Sequence, residues 1–216
     1  WSIEGDFSKE HPATNQGGAL PGGIGWYRKT FHIPREAEDK QVYIDFDGVY
    51  RNSEVWINGH YLGKRPSGYT SFRYDLTPYI KRSGQANTIA IRVDNSQQPN
   101  SRWYSGSGIY RNVWLIFKNQ VAIDHWGAFL STPKIEKDEA IIQQVTSLKN
   151  LTGNTVAADV VITVYDQQKQ LVAKEQYRQS LQDTLTKATF QIKLARPILW
   201  SMKNPYRYQV KTAVFV

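Results

Sequence analysis

Apolar and polar side chains alternate with a period of two along most of the chain, and helical spacing is scarce. In QVYIDFDG, Val42, Ile44 and Phe46 share one face; in SFRYDL, Phe72, Tyr74 and Leu76 do; in NTIAIRVDN, Ile89, Ile91 and Val93 do. Successive side chains of a strand point to opposite faces, so each stretch predicts a half-buried strand. EVWINGHYLG predicts a hairpin, because Asn58 and Gly59 both tolerate the positive φ that a two-residue type I′ turn demands. DLTPYIKR predicts one helical turn, with Thr77 as N-cap and Pro78 at the first helical position, where a missing N–H costs nothing. Strand pattern resumes at NVWLIF, while HPATNQGGALPGG is a Gly-, Pro- and Asn-rich loop. Residues 24–118 therefore read as an antiparallel β-sandwich of jelly-roll type.

Beyond Lys118 and Asn119 aromatics thin out and Gln, Thr, Val and Lys increase. Alternation recurs in AIIQQVTSLKN, VAADVVITVYD, QLVAKEQYRQ, ATFQIKL and YRYQVKTAVFV, with turn-like NLTGN and DQQKQ between neighbours. That spacing predicts a second, smaller sandwich of immunoglobulin-like form without the cysteine pair of antibody domains. The expectation is an all-β chain of two domains, 1–118 and 119–216, each near the usual domain size. Asn150, Leu151 and Thr152 match a glycosylation sequon, but between two strands they read as a polar turn.

Composition narrows the function. Of 28 aromatic residues, 19 lie in residues 1–120, more ring surface than a core of that size needs. The absence of cysteine excludes disulfides, thiolate metal sites and cysteine nucleophiles, and leaves the compartment open. The net charge of +8 is spread evenly, with 15 Lys/Arg against 11 Asp/Glu in residues 1–120 and 12 against 8 beyond. With no basic run longer than a pair, this is a solvated surface, and no nucleic-acid partner is expected. No apolar run approaches the roughly 20 residues of a membrane helix, so no membrane partner is expected either. WSIEGDFSKE lacks the layout of a secretion signal, and the abrupt start on Trp1 suits an excised piece.

Catalytic constellations are missing. The chain has no phosphate-cradling Gly loop followed by Lys-Ser/Thr and no nucleophile elbow, since SGSG at 105–108 runs into a strand rather than a helix. His11, His32, His60 and His125 form no pair at metal-ligand spacing, and Glu4, Asp6, Asp45, Asp47 and Asp94 are scattered. No metal, no cofactor and no catalytic residue are expected here.

The stretch SRWYSGSGIYR, residues 101–111, is different. Sugar rings offer C–H faces to Trp and Tyr, and their hydroxyls need convergent polar groups. Trp103 and Tyr104 beside Arg102, Asn100 and Ser101 supply both. The structural alternative has Trp103 plugging the end of the sandwich and Arg111 in an ion pair. Gly106 and Gly108 permit the turn, and Ile109, Tyr110 and Arg111 lead into the next strand.

GGIGWYRKTFHIP, IDFDGVYRNSEVWINGHYLGKRPSGYTSFRYDLTPYIK, NTIAIRVDN and SRWYSGSGIYRNVWL resemble, in order and spacing, the N-terminal sugar-binding domain of glycoside hydrolase family 2. That group comprises β-galactosidases, β-glucuronidases and β-mannosidases. The domain is a galactose-binding-like jelly roll, and the form of residues 101–111 is most similar to bacterial β-galactosidases. Residues 119–216 resemble the family's immunoglobulin-like second domain through Trp200, Asn204, Pro205 and Tyr206.

The resemblance implies a retaining hydrolase of terminal β-glycosides, with a Glu acid/base and a Glu nucleophile on a (β/α)₈ barrel after these domains. Such a barrel needs about 250 further residues, so the expectation is a non-catalytic portion of an enzyme of carbohydrate metabolism. It further implies that Arg102, Trp103, Tyr104 and, from the entry loop, Asn15 contact a β-linked oligosaccharide or glycoside in a pocket completed by that barrel. Some relatives carry an acidic residue at the place of Arg102. Arginine there suits different hydroxyls, an anionic group or a barrel carboxylate, and argues against a metal. A homo-oligomer of the full-length enzyme and an extracytoplasmic bacterial location fit the resemblance. The rival readings are a stand-alone carbohydrate-binding module and a structural interaction module.

Overall fold

The computed structural model describes Glu10, residues 23–97 and residues 106–216. The chain divides into two compact units, Trp1–Lys118 and Asn119–Val216. Every paired strand is antiparallel, and the one helical element among the described residues is a 3₁₀ turn at Arg35–Ala37.

The first unit contains β1 (Gly23–Phe31), β2 (Gln41–Phe46), β3 (Val49–Tyr50), β4 (Ser53–Ile57), β5 (His60–Arg65), β6 (Phe72–Asp75), β7 (Asn87–Asn95), β8 (Gly108–Ile109) and β9 (Val113–Lys118). One sheet runs β1-β7-β4-β5, a second β6-β2-β9, and β3 pairs with β8. The alternation read from sequence is the burial pattern observed: Val42, Ile44 and Phe46, Phe72, Tyr74 and Leu76, and Ile89, Ile91 and Val93 share one core with Val55 and Ile57. Removing such a side chain from water is worth roughly 1.5–3 kcal/mol, which fixes both faces and hence the register. Burial also pushes the Tyr74 phenol above its ordinary value, against the opposing pull of Arg65, whose guanidinium stands 5.5 Å from the ring centroid.

The β4–β5 hairpin turns on Asn58 (φ 50°) and Gly59 (φ 88°), as a type I′ turn requires. Asn58 does more than turn the chain. Its Nδ2 donates to the Tyr79 carbonyl and to Asn87 Oδ1, both at 2.9 Å, and its Oδ1 accepts the Thr88 amide at 2.9 Å. The turn after β6 forms, with the Tyr79 and Ile80 amides donating to the Leu76 carbonyl. Thr77 does not cap it. Its hydroxyl accepts the Val42 amide at 2.9 Å and donates to the Val42 carbonyl, which ties the turn to β2, while Asp75 Oδ1 accepts the Thr77 amide.

The second unit contains β10 (Val121–Ile135), β11 (Glu139–Asn150), β12 (Val156–Tyr165), β13 (Leu171–Leu181), β14 (Leu185–Ala195) and β15 (Gln209–Phe215), in sheets β10-β11-β14 and β13-β12-β15. Its core is built around Leu148, Val160, Ile162, Val164, Leu181, Phe190 and Ile192. Buried Gln144 donates to Thr146 at 2.7 Å and accepts from Thr212 at 3.0 Å, so its amide is satisfied at both ends. The sequon residue Asn150 is buried, its Nδ2 donating to the carbonyls of Asn154 and Leu181, which makes it a turn residue.

Candidate functional site

The sequence-predicted site residues Asn15, Arg102, Trp103 and Tyr104 lie outside the described residues, as do Asn100 and Ser101. What is described is the frame from which residues 98–105 depart and return. β7 ends in an Asx turn: Asp94 Oδ1 accepts the Ser96 hydroxyl at 2.6 Å and the Ser96 amide at 3.1 Å. Those two bonds, with Arg92 beside them, hold the Asp94 carboxyl below its ordinary range. Asn95 is 2% exposed, and its Nδ2 donates to Ser107 Oγ at 2.7 Å, a clasp between the outgoing and returning strands. The segment after β3 supports the outgoing side. Arg51 Nη2 donates to the Gln97 carbonyl at 2.9 Å, Asn52 Nδ2 donates to the Asp94 carbonyl, and the Asp94 amide donates to the Arg51 carbonyl.

On the returning side Gly108 takes φ 101° and pairs with Tyr50, while the Ile109 amide donates to the Tyr27 hydroxyl at 3.1 Å. Of the two glycines expected to permit the turn, Gly108 has the positive φ that favours glycine; a Cβ on Gly106 would meet nothing within 4 Å among the described residues. Tyr110 then packs over Gly48, where a Cβ would stand 2.5 Å from its ring, and donates its hydroxyl to the Gly68 carbonyl at 2.8 Å. Gly68 in turn leaves room for Tyr50, whose ring lies 5.5 Å from that of Tyr69.

This end of the unit therefore presents Tyr69, Tyr110 and Trp114, all substantially exposed, with Asp47 accepting Trp114 Nε1 at 3.0 Å. Sequence reading missed this aromatic and acidic margin. No local spacing marks it, because Gly48 lies under Tyr110 and Gly68 under Tyr50, rings 62 and 18 positions away along the chain.

Two arginines of the first unit are matched to carboxylates. Arg73 grips Asp45 with two bonds of 2.5 and 2.6 Å, and Arg92 bridges Glu54 at 2.7 Å and Asp94 at 2.9 Å. His60 stacks on Tyr79 and His125 on Trp126, packing roles rather than ligand roles. Among the described residues no three His, Asp or Glu stand close enough to hold a metal ion, and no helix is long and apolar enough to cross a membrane.

Known proteins are similar to this chain. The family model for "Glycosyl hydrolases family 2, sugar binding domain" matches residues 13–119, and that for "Glycosyl hydrolases family 2" matches residues 123–215. The chain is 46% identical over 217 residues to Beta-galactosidase BoGH2A of Bacteroides ovatus, covering 99% of this chain and 25% of that protein. It is 29% identical over 213 residues to a Beta-glucuronidase of Formosa agariphila, covering 89% of this chain and 22% of that protein. A crystal structure of a glycosyl hydrolase family 2 member from Bacteroides cellulosilyticus superposes with a TM-score of 0.91 at 33% identity, over 100% of this chain and 28% of that one. The chain thus spans about a quarter of the length of these relatives. With both units matched, and one relative 46% identical along nearly their whole length, the chain belongs to glycoside hydrolase family 2.

Proposed function

We propose that these two domains are the non-catalytic, substrate-shaping part of a retaining glycosidase that hydrolyses terminal β-glycosides, and that the parent enzyme is a β-galactosidase. The observation that carries this reading is the likeness to a bacterial β-galactosidase along nearly the whole chain. Retaining hydrolysis needs two carboxyl groups about 5–5.5 Å apart, one a nucleophile and one an acid/base. Asp45, Glu54 and Asp94 are bound to arginines, and this reading takes the reacting pair from the barrel that the family resemblance implies.

The contribution of this chain is recognition. Arg102, Trp103, Tyr104 and Asn15 contact the sugar in this reading, and the Asn95–Ser107 clasp and the Arg51–Gln97 bond tie down the residues on either side of 98–105. In the parent enzyme Arg102→Ala and Trp103→Ala each lower kcat/KM on an aryl β-galactoside about ten-fold or more, because a desolvated polar contact is worth about 1–3 kcal/mol. Unaltered kcat/KM in both variants rejects the assignment of residues 98–105. Sugar affinity of the 216-residue chain in calorimetry, without any hydrolysis by the parent, favours a stand-alone binding module.

One observation favours a second substrate, a β-glucuronide: a relative is named a Beta-glucuronidase, and a guanidinium at 102 matches a uronate carboxylate bidentately. The ratio of kcat/KM on aryl galactoside and aryl glucuronide separates the two, and Arg102→Ala collapses activity selectively on the glucuronide if that reading is right.

A further inference from the structure

The outer face of the β1-β7-β4-β5 sheet carries a row of rings that no role above uses. Alternation turns Ile24 and Trp26 of β1, Ala90 and Arg92 of β7, and Glu54 and Trp56 of β4 outward, while their neighbours enter the core. Trp26 lies opposite Arg92, and Trp56 lies opposite Ala90 on one side and Tyr61 on the other. The rings meet in sequence: Trp26 and Trp56 centroids are 5.3 Å apart, and Trp56 and Tyr61 also 5.3 Å. Yet Trp26 is 59%, Tyr61 51% and Ile24 52% exposed, so an apolar strip crosses the sheet in water. Contiguous exposed apolar surface of this kind marks an interaction site.

We infer that the Trp26–Trp56–Tyr61 strip is the seat of the parent enzyme's catalytic portion. This rests on the reading above, that such a portion accompanies these domains. Two observations choose a protein occupant over a sugar. The rings are inclined to one another by 30° and 51°, so they offer a ridged surface that side chains can interdigitate rather than one plane for a flat pyranose face. Of the charges that border the strip, Arg92 is held between Glu54 and Asp94, while Arg28 lies opposite Ala90 and Lys64 opposite Glu54 on the same face. A covering surface therefore meets Arg92 already paired, which spares that desolvation cost, and leaves Arg28 and Lys64 to a polar rim. Length supplies the occupant: in relatives of which this chain spans about a quarter, the other three quarters pack somewhere, and interfaces between domains of one chain take 600–1,500 Å².

Hydroxyl-radical footprinting read by mass spectrometry, on the 216-residue chain and on the full-length parent, tests this. Labelling of Trp26 and Tyr61 falls at least about five-fold in the parent, as exposure drops from over half to that of an interface core. Trp26→Asp lowers the melting temperature of the parent by several degrees and leaves that of the 216-residue chain within about 2 °C, as expected for a surface position. Equal labelling in both proteins overturns the inference. Protection of the 216-residue chain by an added β-linked oligosaccharide overturns it in favour of a sugar surface, and protection that grows with protein concentration overturns it in favour of a second copy. If the parent shields the rings but hydrolyses no β-glycoside, the proposed function fails and the docking surface stands.

Discussion

Asn87 illustrates how single residues set the first unit. It is fully buried, and its side chain accepts the Lys81 amide at 2.7 Å and Asn58 Nδ2 at 2.9 Å while donating to the Lys81 carbonyl at 2.8 Å. Asn87→Ala removes three part-buried hydrogen bonds at once, so chemical denaturation registers a loss of about 2 kcal/mol. An unchanged urea midpoint would show that water replaces the network. Asp94 gives the pH counterpart. Its folded carboxyl lies below the unfolded value of about 3.9, so it contributes stability above that value and loses it as pH falls through the folded one. Urea midpoints measured from pH 5 downwards therefore fall less steeply in Asp94→Asn than in the wild type. At this scale the sequence was only partly legible. Asn58 was readable as a turn residue because Gly59 follows it, but its bonds to Tyr79 and Asn87 join positions 21 and 29 residues away, and no local pattern encodes them. Thr77 was misread for the same reason, since its hydroxyl serves a strand 35 residues distant.

Strands were the most legible elements, because one buried face dictates a two-residue period. The predicted stretches of the second unit fall on β11 to β15. β10 went unpredicted because its period is interrupted: the register with β11 shifts between Ile123 and Ala128 and again between Ser131 and Lys134, and Trp126 has φ 51°. Each bulge moves later side chains to the other face, which erases the alternation a reader looks for. Gly127 is what permits the first irregularity. A Cβ there would stand 2.9 Å from the Ser147 carbonyl oxygen and 3.0 Å from the Asp124 amide, both backbone atoms that cannot swing aside. Gly127→Ala is expected to cost about 1–3 kcal/mol through this overpacking, and amide exchange should localise the loss to β10 and its partner β11. Protection unchanged in β10 would mean the bulge has room to relax.

At the scale of the molecule, family and architecture were legible because long motifs fix the order of strands and turns together, whereas residues 101–104, proposed to contact the sugar, were legible only as an inventory of residue types. An arginine, a tryptophan and a tyrosine in a row state a capacity for stacking and hydrogen bonding; what they meet depends on atoms contributed from elsewhere. The described frame supplies only what stands on either side: Asn95 is tied to Ser107 and Arg51 to Gln97. The two cores share no residue: Phe46, Val55, Ile57 and Val93 close one, and Val160, Ile162, Val164 and Ile192 the other. Ile162→Ala leaves a cavity worth about 2–5 kcal/mol in the second. Amide exchange should therefore rise in β11, β12 and β14 while β2, β4 and β7 keep their protection, and kcat/KM of the parent should stay near wild type at temperatures below the weakened transition. If β4 and β7 lose protection to the same extent as β12, the chain unfolds as one cooperative body, and the division into two cores describes packing but not stability.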